Sequence, residues 1–191
     1  MKKKYNLALT PVSRSNDVIA LAKRFSNIAD EYLLGNESIP HVTLYQFQAE
    51  ETEINHIWEQ VCRIWEKKPL KFVFKKFSCI TFDNNIFWVS LVPSNCDVLH
   101  KMHGCIANIL QLPIKKMFDP HMTLVNTKDK EYEKTAAFIS ASYKPIMDTF
   151  ILSLGLSDDS GQLVNIIYQC DLRMGEANAA LSTIPSQKQI I

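Results

Sequence analysis

The sequence predicts an α+β domain whose two pseudo-symmetric lobes face each other across a central groove. Three observations carry this. Stretches with the alternation of strands are separated by stretches with the helix period, yet neighbouring strands joined by short turns also occur, which sets the chain apart from a doubly wound parallel sheet. The order strand, helix, His-containing strand, helix, strand runs over residues 5–80 and again over 86–172. A lobe of about 90 residues would leave one face of its sheet poorly covered. One interleaved domain over residues 1–174 is therefore expected, with 175–191, which lacks periodicity, as a tail.

Each element follows from its pattern. Tyr5 to Thr10 reads as a strand closed by Pro11. Apolar residues at 18, 21, 22, 25, 28, 29 and 32 predict a helix from Val18 to Leu33, with Ser15 or Asn16 as its cap and Gly35 as its stop. Pro40 to Phe47 alternates like a strand. Ile54, Ile57, Trp58, Val61, Ile64 and Trp65 mark a second helix that stops before Pro69. Leu70–Ile80 and Ile86–Val92 form a hairpin about Asp83-Asn84-Asn85. Asn95 caps a third helix carrying Val98, Leu99, Met102, Ile106, Ile109 and Leu110, ended by Pro113. A strand at Asp119–Val125, a short helix at Tyr132–Ser140, and strands Met147–Leu156 and Leu163–Leu172 about the turn 158–161 complete the chain.

Composition excludes several classes. With 47% hydrophobic residues and only 5 Gly and 8 Pro in 191, the chain is neither disordered nor collagen-like. No apolar run approaches the roughly 20 residues of a membrane helix, and the stretch Leu7 to Val12 behind the N-terminal lysines is too short for a signal-peptide core. A soluble, cytoplasmic monomer is expected. The five Cys (62, 79, 96, 105, 170) show no CxxC spacing, so free thiols are expected. His100 and His103 form an HxxH near Cys105, but nothing supplies further metal ligands at a recognisable spacing. These two histidines and His56 are expected on helix surfaces or partly packed. The net charge of +1 conceals a concentration of eight lysines between Lys67 and Lys116 against Asp83 and Asp97 alone. Lysines alternating along a strand, as in Lys71 to Lys75, fit the protected edge of a sheet as well as a phosphate-binding flank.

The chemistry lies in a repeated element. His41-Val42-Thr43-Leu44 and His121-Met122-Thr123-Leu124 each follow a proline and stand 121 − 41 = 80 residues apart. On a strand, residues two apart share a face, so each copy presents an imidazole beside a hydroxyl. Two lobes related by a pseudo-twofold would set the pairs opposite one another across the groove. That arrangement suits in-line attack at phosphorus. One neutral imidazole takes a proton from the attacking group, an imidazolium opposite protonates the departing oxygen, and the threonines donate to the non-bridging oxygens. No metal or cofactor is required for these steps. Tyr45 would continue the His41/Thr43 face and stack on a base, and Trp88 and Ser90, sharing one face of their strand, are placed to line the groove.

The paired motifs, together with Phe118-Asp119-Pro120 before the second, resemble the 2H phosphoesterase superfamily, which includes LigT-like 2′-5′ RNA ligases and cyclic phosphodiesterases. The resemblance covers the chain to about Leu172, with its specificity in the eight motif residues. It implies a bilobal LigT-like fold of two antiparallel sheets with outer helices around a groove. It also implies metal-independent hydrolysis of a 2′,3′-cyclic phosphate or a 2′-5′ phosphodiester, with His41 and His121 as the acid/base pair and Thr43 and Thr123 as phosphate binders. Which histidine is the base stays open. The expected partner is a nucleotide or short RNA, with no membrane and no protein partner. Two alternatives share the groove: 2′-5′ RNA ligation, the same chemistry reversed, and a nucleotide- or RNA-binding module without turnover.

Overall fold

The computed structural model describes residues 1–35, 37–64, 70–82 and 86–170, with the backbone alone for Ile64 and Phe82. The expected turn at 83–85, Trp65, Lys67, Lys68 and the expected tail 175–191 lie outside these residues. Among the described residues, eight strands and four helices follow in the order β1 (Lys3–Pro11), α1 (Ser15–Lys23), β2 (Tyr32–Leu33), β3 (Val42–Ala49), α2 (Ile54–Ile64), β4 (Leu70–Phe82), β5 (Ile86–Pro93), α3 (Asp97–Ile109), β6 (Met122–Thr127), α4 (Tyr132–Ser140), β7 (Ile146–Ser157) and β8 (Leu163–Gln169). A 3₁₀ turn, Glu51–Glu53, leads into α2.

The strands are antiparallel and run β2-β6-β5-β4-β7-β1-β3, with β8 also on β7. The two sheets implied by the family resemblance are thus fused into one of eight strands. The cause is the length of β7: its first residues, Ile146–Phe150, pair with β4, while its later residues pair with β1 and β8. The connections cross between the two ends of the sheet. Helix α1, which follows β1, lies on β6, and α3, which follows β5, lies on β3. Each motif strand is thereby backed by a helix from the opposite half of the sequence. The core between sheet and helices is contiguous and includes Leu7, Leu9, Phe25, Leu44, Leu91, Leu99, Ile106 and Leu124, all at most 1% exposed. Burying side chains of this size stabilises by about 1.5–3 kcal/mol each.

Three local details at the helix ends have physical causes. Helix α1 ends at Lys23 rather than Leu33. Beyond it the amides of Phe25 and Ile28 bond carbonyls three residues back, so tight turns keep burying apolar residues at nearly the helical spacing. Then β2 leaves to pair with β6. The cap of α1 is neither Ser15 nor Asn16: Asp148 on β7 accepts the amides of Ser13 and Arg14 at 2.9 and 2.7 Å. Burial alone would raise this carboxyl, but the hydrogen bonds from Ser13, Arg14 and Thr149 outweigh it and hold Asp148 below its ordinary value. Asn95 does act at the start of α3, accepting the Asp97 amide at 3.1 Å. Among the described residues no helix is long and apolar enough to cross a membrane.

Candidate active site

Both motif strands carry a bulge at the same place. Along β1 and β3, Leu7 pairs with Tyr45 and Ala8 with Thr43, which leaves Leu44 as the extra residue. Along β5 and β6, Val89 pairs with Val125 and Ser90 with Thr123, which leaves Leu124 extra. A bulge turns two successive side chains toward one side and resets the alternation beyond it. His41 and His121 stand one residue before their strands, and with Thr43 and Thr123 they line one cleft of about 590 Å³. Thr123 is 8% and His41 7% exposed. The side chain of His121 is 23% exposed.

The rings are held alike. His41 Nδ1 lies 2.7 Å from the Ile39 carbonyl oxygen, and His121 Nδ1 lies 2.8 Å from that of Asp119. A carbonyl only accepts, so Nδ1 carries the proton in each ring, and Nε2 is the nitrogen left for proton transfer. Their surroundings differ. Burial pushes His41 down to about 4, with the charge of His121 adding to the effect; the bond to Ile39 and the Asp158 carboxylate pull the other way. Beside His121, the Asp119 carboxylate stands 3.9 Å from Nδ1 and faces any charge the ring acquires.

The side-chain amide of Asn6 on β1 joins the first pair: its nitrogen lies 3.3 Å from His41 Nε2 and 3.1 Å from Thr43 Oγ1. Asn6 and Gln46, paired across β1 and β3, both donate to the Gly161 carbonyl, at 3.4 and 2.6 Å. This fastens the turn between β7 and β8, and Ser160, Gly161 and Gln162 form one wall of the cleft. Opposite stand Ile80, Trp88, Met117 and Phe118, with Lys115 as a cation at the same cleft. The Trp88 ring meets His121 edge to face at 6.2 Å.

Two expected groove residues lie elsewhere. Tyr45 does not continue the His41/Thr43 face, because the bulge at Leu44 passes that face to Gln46. Tyr45 is 5% exposed, its hydroxyl donates to the Pro113 carbonyl at 2.8 Å, and its ring stacks on His103. Ser90 is 1% exposed beneath the cleft, paired with Thr123. His103 is a buried staple rather than a surface residue. Its Nδ1 donates to the Leu44 carbonyl at 2.8 Å, and its Nε2 accepts the Lys115 amide at 3.1 Å. Its ring lies between Tyr45 and Phe118. The segment leading to the second motif is thus tied to the bulge of the first. His100 and His56 are exposed, as are Lys71, Lys75, Lys76, Lys101 and Lys116. Cys79, Cys96 and Cys105 are free thiols. Among the described residues no group of three or more His, Cys, Asp or Glu side chains is placed to hold a metal.

Comparison with known proteins bears on the fold first. E. coli LigT in its apo form matches with a TM-score of 0.56 at 13% identity, covering 88% of this chain and 96% of LigT. LigT complexed with 3′-AMP matches at 0.54 and 13%, with coverage of 88% and 96%. TT0787 of Thermus thermophilus matches at 0.54 and 12%, covering 89% of this chain and 98% of that one. At such identities the likeness is one of fold. No curated protein sequence matches the chain. The model of the 2′-5′ RNA ligase superfamily, however, matches residues 15–146, a span that holds both motif strands and the helices behind them. The chain belongs to the 2′-5′ RNA ligase superfamily, the 2H phosphoesterases.

Proposed function

We propose that the protein is a metal-independent phosphoesterase that hydrolyses a 2′,3′-cyclic phosphate or a 2′-5′ phosphodiester of a nucleotide or short RNA, with His41 as base and His121 as acid. The observation that carries this reading is the convergence of two His-Thr pairs on one cleft, each ring held through Nδ1 by the carbonyl two residues before it. A volume of about 590 Å³ lies in the usual range for small-molecule sites. LigT, of the same fold, has been crystallised with 3′-AMP, ATP and phosphate.

In the hydrolytic step a water oxygen bonds to phosphorus as its proton passes to His41 Nε2. The phosphorus–oxygen bond to the ribose breaks, and its electron pair leaves with that oxygen, which takes a proton from the His121 imidazolium. Thr43 and Thr123 donate to the non-bridging oxygens as their charge grows. Burial keeps His41 neutral at neutral pH, whereas the His121 side chain is the more open of the two, at 23% exposure. With a 5′-hydroxyl in place of water, the same groups run the step as ligation.

His41→Ala and His121→Ala should each lower kcat/KM by at least about 10²-fold, the contribution usual for a positioned acid or base. Activity should survive EDTA. A panel of 2′,3′-cyclic nucleotides and 2′-5′ oligoadenylates, with a 5′-hydroxyl RNA acceptor in a parallel arm, distinguishes hydrolysis from ligation. Full activity in both variants would overturn the reading, and binding without turnover across the panel would make the groove a binding module.

A further inference from the structure

The structure assigns Asn6 a role that neither motif contains: we propose that it is a positioning residue, holding His41 in the neutral form with Nε2 unprotonated and locking that ring to Thr43 and to the turn between β7 and β8. This inference rests on the phosphoesterase reading for its kinetic consequence, and on geometry for everything else.

Asn6 is 0% exposed, and its side-chain nitrogen faces three acceptors: His41 Nε2 at 3.3 Å, Thr43 Oγ1 at 3.1 Å and the Gly161 carbonyl at 3.4 Å. The carbonyl can only accept, so the amide must present its NH₂ side there. Its Oδ1 is buried and finds no hydrogen-bond partner among the described residues. An asparagine whose side-chain nitrogen meets both members of a His-Thr pair is placed for the pair. His41 Nδ1 already carries a proton toward Ile39. A donor on Nε2 therefore opposes protonation there and keeps the ring from turning. Substrate arriving at the cleft would take over the Nε2 lone pair, while Thr43 and Gly161 keep the amide in place.

The other pair shows the contrast. Two residues before Ala8, the partner of Thr43, stands Asn6; two residues before Ser90, the partner of Thr123, stands Trp88. An amide thus meets the first histidine where an indole ring meets the second. Pseudo-symmetric motifs are made chemically unequal by one position on the neighbouring strand. The ionisable groups around His41 are His121 and Asp119 at the second motif, Lys115 before it, and Asp158 at the β7–β8 turn. Of these, His121 opposes a charge on His41 and Asp158 favours it.

The test is a titration of the histidine ring nitrogens by long-range ¹H–¹⁵N NMR, alongside pH profiles of kcat/KM, in the wild type, Asn6→Asp and Asn6→Leu. In the wild type at neutral pH, His41 should show protonated Nδ1 and unprotonated Nε2. Asn6→Asp replaces the donor by a carboxylate that accepts from the imidazolium. It should raise the His41 midpoint by more than one pH unit and carry the acid limb of kcat/KM with it. Asn6→Leu should raise the midpoint by less and lower kcat more than it raises KM. Folded variants with an unchanged His41 midpoint would overturn the proposal, as would a wild-type His41 protonated on Nε2 at neutral pH, a result that needs no variant. If the wild type proves inactive on every substrate while the NMR results hold, the phosphoesterase reading falls and the positioning role of Asn6 stands.

Discussion

Gly161 shows how much of the cleft depends on single atoms. Its φ is +92°, a conformation open to glycine and strained for other residues, and a Cβ there would lie 2.8 Å from Gln46 Nε2. The same glycine offers its carbonyl to Gln46 and Asn6, so the turn that walls the cleft, closed on itself by the Asp158 carboxylate, is fastened to the first motif through a backbone oxygen. Gly161→Ala should destabilise by about 1–2 kcal/mol, the cost of forcing an L-residue into this region, measurable by urea unfolding. By displacing the wall it should lower kcat/KM by about tenfold to about 10²-fold. An alanine variant with wild-type kinetics would show that the wall does not position the reacting groups. The motif residues were legible because a rare combination, histidine and threonine two apart behind a proline, occurs twice in register. Asn6 and Gln46 were not, because one amide on a strand carries no pattern. Their meaning comes from the β1–β3 pairing, which sets Asn6 opposite Gln46 beside the first motif.

Among the elements, the helices and long strands were readable from their periods, and the irregular joints were not. The bulges at Leu44 and Leu124 leave the apolar alternation of their strands intact in sequence, so a strict period of two put Tyr45 on the wrong face. The two-residue β2 is too short to show any period, and it forms only because β6 offers an edge. The end of α3 is a further such joint. The Leu112 amide bonds the Ala107 carbonyl at 2.9 Å and the Gln111 amide bonds that of Asn108 at 3.2 Å, with Gln111 at φ 53° between them. This is the Schellman arrangement, whose left-handed position favours glycine. Gln111→Gly should therefore stabilise the fold by about 0.5–1 kcal/mol, seen as a higher urea midpoint at unchanged m-value. Because His103, two turns back on α3, already ties the following segment to the first motif, activity should not change.

At the scale of the whole molecule, the opposed packing of helices across the sheet has a consequence for acid stability. Helix α3 backs the first motif strand and α1 the second, yet only the first motif's histidine is closed off, at 7% exposure. An unfolded histidine titrates near 6.5, and His41 in the native protein is pushed down to about 4 by burial. Between these values the unfolded chain binds a proton that the native protein refuses, so stability rises with pH across that window. The contribution is complete above about pH 6.5, falls as the pH drops toward 4, and spans about 3 kcal/mol, the free energy of a shift of that size. Asp148, held below its ordinary value by its bonds to Ser13 and Arg14, adds to acid lability through loss of its charged form, but at lower pH. The two are separable. His41→Asn retains hydrogen-bonding capacity without a group that titrates here, so urea unfolding at pH 7 and pH 4.5 should show a smaller loss in this variant than in the wild type, by about 2–3 kcal/mol. Equal losses in the two proteins would mean that His41 is free to take up a proton in the native state, which would remove the basis for treating it as the resting base.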